Sequence, residues 1–201
     1  MRIIAGELRG RRLKSPKNND IRPTTDKVKE AVFSMLLPYM EGDFTCMDIF
    51  CGSGNLGLEA ISRGAEMVFF SDYSRESLTL ARENAKLFGV EDRCVFLSGD
   101  FRNNIKRVKD PVDIFFADPP YADKNIVTVL KCIDEAGNCP EGGIVVCEHK
   151  HRDVLPEKAY GFTCIKSRRY GITGVTIYQR DFESAEMQPE SAETEERIEE
   201  E

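Results

Sequence analysis

The chain has 201 residues, 41% of them hydrophobic and 31% charged, with a formal net charge of −7. That is an ordinary globular composition, long enough for one well-buried domain with something left over. No apolar run approaches a membrane span and the first residues lack the apolar core of a signal peptide, so a cytoplasmic protein is expected and a membrane protein is not.

The charge is unevenly spread. Residues 1–29 carry nine Lys/Arg against three Asp/Glu, and residues 182–201 carry nine Glu and one Arg. A basic head and an acidic tail flank a mildly acidic body. In the head, residues 3–5 and 13–15 read as two short strands around a basic turn. Arg9, Arg11, Arg12 and Lys14 place four cations within six residues, the footprint of a polyanionic partner. After Pro23, Thr24 or Thr25 is the expected N-cap of a helix. Val28, Ala31, Val32, Met35 and Leu36 form its apolar face, and Pro38 ends it.

From residue 44 the pattern alternates. Strands are expected over 44–49, 66–71, 93–97, 112–117 and 142–148, and helices over 56–63, 75–88, 101–108 and 124–136. Such alternation specifies a parallel sheet covered by helices on both faces. Beyond Glu148, residues 162–168 and 174–180 read as an antiparallel pair closing one edge, with Tyr170-Gly171 between them. From Ser184 onward there is almost no bulky apolar residue, and disorder is expected. The seven cysteines include no Cys-x-x-Cys pair and have mostly apolar neighbours, so reduced, partly buried thiols are expected. His149 and His151 have no cysteine at ligand spacing beside them, and no metal is expected. Glu59 and Arg63 stand at i, i+4 and read as a salt-bridged surface pair.

Two motifs carry chemistry. In the first, Gly52, Gly54 and Gly57 match G-x-G-x-x-G between a strand and its helix, and with Ser53 they admit a ligand close to the backbone. Asp48 ends the first strand. Asp72, beside Tyr73, follows the second, and Asp100, beside Phe101, follows the third. An acid after the second strand can accept both hydroxyls of a ribose. Asp100 and its neighbours can hold an adenine edge, and Asp48 can favour a cation. Singly, each is a residue type common in loops and at helix N-caps, Asp100 above all. The recurrence at three successive strand ends lifts the set above that reading. A nicotinamide dinucleotide fits the same loop, with its pyrophosphate at the helix N-terminus. The loop alone leaves that choice open.

The second motif is Asp118-Pro119-Pro120-Tyr121, where the fourth strand stops. The prolines fix their own φ and donate no backbone hydrogen bond. A stiff corner therefore offers a carboxylate, a free carbonyl and an aromatic face at the end of the sheet where ligands bind. Such a group suits a planar base with an exocyclic amine.

Glycine loop, ribose acid and Asp-Pro-Pro-Tyr corner together resemble the class I S-adenosylmethionine-dependent methyltransferases, in the branch that methylates amine nitrogens. Arg9-Gly10-Arg11-Arg12-Leu13, Arg22-Pro23-Thr24-Thr25-Asp26, the run from Gly52 to Ala60, and Arg63-Gly64-Ala65 extend the likeness. Over most of residues 1–180 the chain is similar to the RsmD family. Cys51 and Asn55 stand where that pattern usually has alanines, and Asp72 where it has glutamate.

The resemblance implies an α/β, Rossmann-like, doubly wound and mostly parallel seven-stranded sheet with an antiparallel edge strand and a basic N-terminal extension. It divides the chain into a basic arm (1–24), a methyltransferase domain (25–182) and an acidic tail (183–201). It implies methyl transfer from S-adenosylmethionine to N2 of guanine 966 in 16S ribosomal RNA, within a small-subunit particle. Asp118, Pro119, Pro120 and Tyr121 are then expected at the reacting amine. Asp48, Gly52, Ser53, Gly54, Asp72, Tyr73, Asp100, Phe101, Arg22 and Thr24 are expected around the cofactor. Arg9, Arg11, Arg12 and Lys14 are expected on RNA phosphates. Two alternatives stand beside this reading: adenine N6 methylation of RNA or DNA, because the corner reads any exocyclic amine, and an NAD-dependent oxidoreductase.

Overall fold

A computed structural model of the protein describes residues 1–15, 26–119 and 126–182. The expected cap at Thr24 or Thr25 and nearly all of the acidic tail lie outside these residues. In chain order the elements are α1 (Asp26–Leu36), β1 (Thr45–Asp48), α2 (Asn55–Ser62), β2 (Met67–Asp72), α3 (Arg75–Phe88), β3 (Cys94–Ser98) and α4 (Phe101–Arg107). They continue with β4 (Ile114–Ala117), α5 (Ile126–Ala136), β5 (Ile144–Lys150), β6 (Lys158–Ala159), β7 (Phe162–Tyr170) and β8 (Thr173–Arg180).

The strands form one sheet in the order β3-β2-β1-β4-β5-β8-β7-β6. The first five are parallel. β8 runs antiparallel to both β5 and β7, so the later strand of the expected pair lies inside and the earlier one outside. The sheet has eight strands where seven were expected. The extra one, β6, is two residues long and pairs with the start of β7. Two residues leave no alternation to read.

Central parallel strands are covered on both faces, which is why β4 is a continuous apolar run and β2 opens with one, Met67 to Phe70. Alternate residues go to opposite faces. Val68, Phe70, Ile114 and Phe116 pack under α1, α2 and α3, while Phe69, Phe115 and Val145 pack under α4 and α5. Ser74 caps α3 by accepting the Ser77 amide at 3.2 Å, and Gly89 ends that helix at φ +72°.

α1 departs from the expected face. Its buried residues are Val28, Lys29, Val32, Phe33 and Leu36, whereas Ala31 and Met35 are only partly covered. Phe33 meets Phe116 with ring centroids 5.6 Å apart, and Lys29 reaches a buried carboxylate. Those two partners turn the helix.

The basic head forms no strands. It is a closed turn with one antiparallel bridge, Arg2 to Arg12. The Ile3 amide donates to Arg11 O at 2.9 Å and the Gly10 amide to Ile3 O at 2.9 Å. Ile3, Leu8 and Leu13 are buried in the core shared with α1, α2 and α3. Gly6, at φ +80°, lies directly on the end of α2: a Cβ there would sit 1.6 Å from Ser62 O. All seven cysteines are free thiols, five of them buried. No helix among the described residues is long and apolar enough to cross a membrane.

Candidate active site

The strand order reverses between β1 and β4, which opens a crevice at their carboxyl ends. Asp48 pairs in register with Phe116, and the Ile49 amide donates to Phe116 O at 3.0 Å. The glycine turn therefore leaves β1 beside the corner that leaves β4. Gly52 (φ +51°) and Gly54 (φ +81°) shape that turn, and Gly54 is the left-handed N-cap of α2. A Cβ on Gly52 would enter open space, whereas one on Gly57 would lie 2.3 Å from the Phe70 ring. The first glycine thus leaves room above the turn, and the third lets α2 press onto β2.

Asp48 is fully buried, and its Oδ2 accepts the Gly57 amide at 3.0 Å. Burial pushes its carboxyl up to about 7, opposed by that hydrogen bond and reinforced by Asp118 and Asp72. Asp72 accepts the Gly52 amide at 2.9 Å on one oxygen and the Ser74 amide at 2.8 Å on the other. Each oxygen keeps a lone-pair site for a ligand.

The junction of β3 and α4 joins this rim through the Gly99 amide, which donates to Asp72 O at 3.1 Å. Asp100 caps α4 by accepting the Arg102 amide at 2.8 Å, and it pairs with the Arg102 guanidinium at 2.8 Å. Phe101 is buried beside Phe50, with centroids 5.2 Å apart. Ser53 is buried in the turn, and Tyr73 is 84% exposed. Asp118 is half-buried and Pro119 buried. Arg22, Thr24, Pro120 and Tyr121 lie outside the described residues. Among the expected residues, Asp48, Gly52, Ser53, Gly54, Asp72 and Asp118 thus gather on one rim, with Asp100 and Phe101 adjoining it.

Residues 1–179 match the family model Conserved hypothetical protein 95. The chain is 36% identical to YlbH of Bacillus subtilis over 183 residues, covering 90% of this chain and 99% of that protein. It is 30% identical over 182 residues to ribosomal RNA small subunit methyltransferase D of Escherichia coli K12, with 90% of each chain covered. The chain belongs to the RsmD family. Among solved structures, yhhF of Escherichia coli matches with a TM-score of 0.80 and 27% identity, over 90% of this chain and 98% of that one. The fold is that of the class I methyltransferases.

The basic arm of this RsmD-family chain is tied down along its length. Arg11 donates to the carbonyls of Phe88 and Leu87 at 2.8 Å each and lies over the Phe88 ring. Lys14 pairs with Glu83 at 2.9 Å on the surface. Arg9 and Arg12 are exposed.

The Glu59–Arg63 pair is not a surface pair. The Glu59 side chain is fully buried. It meets Lys29 Nζ at 3.0 Å and Arg63 Nε at 2.9 Å, and accepts the amides of Ile4 at 2.8 Å and Ala5 at 3.1 Å. Spacing within α2 revealed the pairing but not the arm and α1 that cover it.

A second feature escaped the sequence. Beside Pro119 lies a cavity of about 500 Å³, with Ile126, Val127, Lys150, Arg152 and Val154 in its wall. The only signal was the run of basic residues around His149 and His151.

Proposed function

We propose that this chain transfers a methyl group from S-adenosylmethionine to the exocyclic N2 of a guanine in 16S ribosomal RNA, at position 966. The similarity to ribosomal RNA small subunit methyltransferase D supports the RNA class. One observation carries the cofactor assignment: Asp48 and Asp72 accept the turn's own amides, from Gly57 and Gly52, and Asp118 leaves the neighbouring strand β4. A site of that charge favours a cationic ligand. It opposes a dinucleotide pyrophosphate, and the Gly57 amide that would greet such an anion already serves Asp48.

The donor set fits the cofactor. Open space above Gly52 admits its methionine end against the turn of Gly52, Ser53 and Gly54. The remaining lone pairs of Asp72 would accept the ribose hydroxyls. Asp100, Phe101 and Tyr73 would hold the adenine, and the family likeness assigns Arg22 and Thr24, outside the described residues, to covering it. When bound, S-adenosylmethionine supplies an electrophilic methyl.

Guanine N2 is a weak nucleophile because its lone pair is delocalised into the ring. The Asp118 carboxylate and the Pro119 carbonyl accept its two N–H groups and turn the lone pair toward the methyl. As N2 attacks it becomes more positive, and Asp118 stabilises that charge. Catalysis here is mostly orientation. Tyr121 stacks on the base, which must be unpaired or flipped to reach the corner. Arg9 and Arg12, exposed on the arm, are the cations assigned to RNA phosphates, while Arg11 and Lys14 are engaged with α3.

Labelled cofactor and small-subunit RNA, naked and in particles, test the reading. Label in N2-methylguanosine is expected. Label in N6-methyladenosine would reassign the base, and tight NAD binding without S-adenosylmethionine binding would reassign the enzyme class.

A further inference from the structure

The two residues that flank Gly54 are both held by buried side chains that also grip the arm. Asn84, fully buried on α3, donates from Nδ2 to Ser53 O at 3.0 Å and to Lys14 O at 3.2 Å. Its Oδ1 accepts the Lys14 amide at 2.8 Å. On the other side Lys29, fully buried on α1, donates from Nζ to Asn55 Oδ1 at 2.8 Å and to Arg2 O at 2.6 Å. The hydrogen bonds that these two side chains make with the arm all go to its main chain.

Burial makes each of these bonds expensive to lose. With the arm displaced, Asn84 would face two unmet groups, and burial already disfavours the charged form of Lys29. The turn itself is made of glycines, which lose the most conformational freedom on ordering. A turn of this kind stays fixed only if its neighbours hold it.

We infer that the arm acts on the cofactor as well as on RNA: Asn84 and Lys29 are positioning residues that pass arm docking to Ser53 and Asn55, so the docked arm preorganises the glycine turn. This deepens the proposed function and rests on the cofactor binding at that turn. Preorganisation lowers the ordering cost of binding. Undocking the arm therefore weakens cofactor binding in the absence of any RNA.

The test is a double-mutant cycle on the full chain, read as the dissociation constant of S-adenosylmethionine by calorimetry with no RNA present. Asn84→Ala removes one side of the link, and deletion of residues 1–14 removes the other. Each is expected to weaken binding about tenfold, the scale of one buried hydrogen bond. The pair together is expected to weaken it no more than the worse single change, because both break one connection. Lys14→Pro, which deletes the amide that donates to Asn84, takes the place of the deletion if the shortened chain does not fold, with Lys14→Ala as the control for the lost pair with Glu83.

Single effects under twofold, or effects that multiply in the pair, would overturn the inference. Charge provides a second discriminator. Arg9→Gln with Arg12→Gln lowers the arm's charge without touching Asn84 or Lys29, and the dissociation constant is expected to stay within twofold. A loss there as large as that of Asn84→Ala would make charge the cause and overturn the link. Failure of the unaltered chain to bind S-adenosylmethionine would overturn the proposed function as well; normal binding that ignores Asn84 would overturn this inference alone.

Discussion

Asp118 lies close enough to Asp48 to raise the proton affinity of its carboxyl, although the two residues leave different strands. The consequence is a pH dependence with a definite sign. Below about pH 4 Asp48 is protonated whether the chain is folded or not. Between there and about 7 the unfolded carboxyl ionises while the folded one keeps its proton. Stability of the ligand-free protein therefore falls as pH rises through that window and levels off above it. A cationic ligand prefers the ionised form, so binding expels a proton. S-adenosylmethionine affinity is expected to rise between pH 6 and 8, and calorimetry in buffers of different ionisation heat should detect the proton. Asp48→Asn should abolish both trends; a trend that survives it belongs to another group.

Asp118→Ala should lower turnover by about two to three orders of magnitude, the usual scale for loss of a preorganised polar group at developing charge. RNA affinity, set mainly by phosphate contacts, should stay within twofold. Filter binding and single-turnover kinetics separate the two quantities. Normal turnover in this variant would exclude the mechanism.

The glycines of the turn are predicted to fail differently. A methyl on Gly57 would lie 2.3 Å from Phe70 Cε1 and 3.0 Å from Val68 Cγ1. Gly57→Ala should cost about 1–3 kcal/mol of stability, seen as a lower Tm. A methyl on Gly52 meets nothing, and the left-handed backbone there costs only about 1–2 kcal/mol. Gly52→Ala should bind cofactor poorly for its modest loss of stability, because its methyl occupies the space above the turn. Equal binding losses in the two variants would contradict this division.

The four cations of the arm should separate in salt titrations. Arg9→Ala and Arg12→Ala are each expected to reduce the slope of log affinity against log salt by about one. Arg11→Ala should instead cost about 1–2 kcal/mol of stability, because its guanidinium serves two carbonyls and a ring at the end of α3. Lys14→Ala should change stability little, since its pair with Glu83 is exposed. A full unit of slope lost in Arg11→Ala with unchanged Tm would reverse this assignment.

The sheet was legible in the sequence because its information is local. β1, β2 and β4 are short apolar runs stopped by Asp, Gly or Pro, and α3 carries both its caps. β6 was not legible, since two residues show no period. The glycine turn and the acids around it were legible as a set, because each follows a strand. Their electrostatic coupling was not, because the proximity of Asp48 and Asp118 depends on strand order. Glu59 shows the same limit. Its i, i+4 partner could be read from spacing, but the amides of Ile4 and Ala5 and the ammonium of Lys29 come from elements distant in sequence. Asn84 left no signal at all: a lone asparagine in a helix says nothing about the two carbonyls it bridges.

Cys51 stands one residue before Gly52 and is buried, 5% exposed as a residue. Burial, then Asp48 and Asp72, push that thiol well above its ordinary range. A sulfur so placed meets an alkylating reagent only when the turn swings away from α3. Its labelling rate, set against that of the less covered Cys164, would serve as a built-in stopwatch for loop opening, readable by mass spectrometry without a reporter dye.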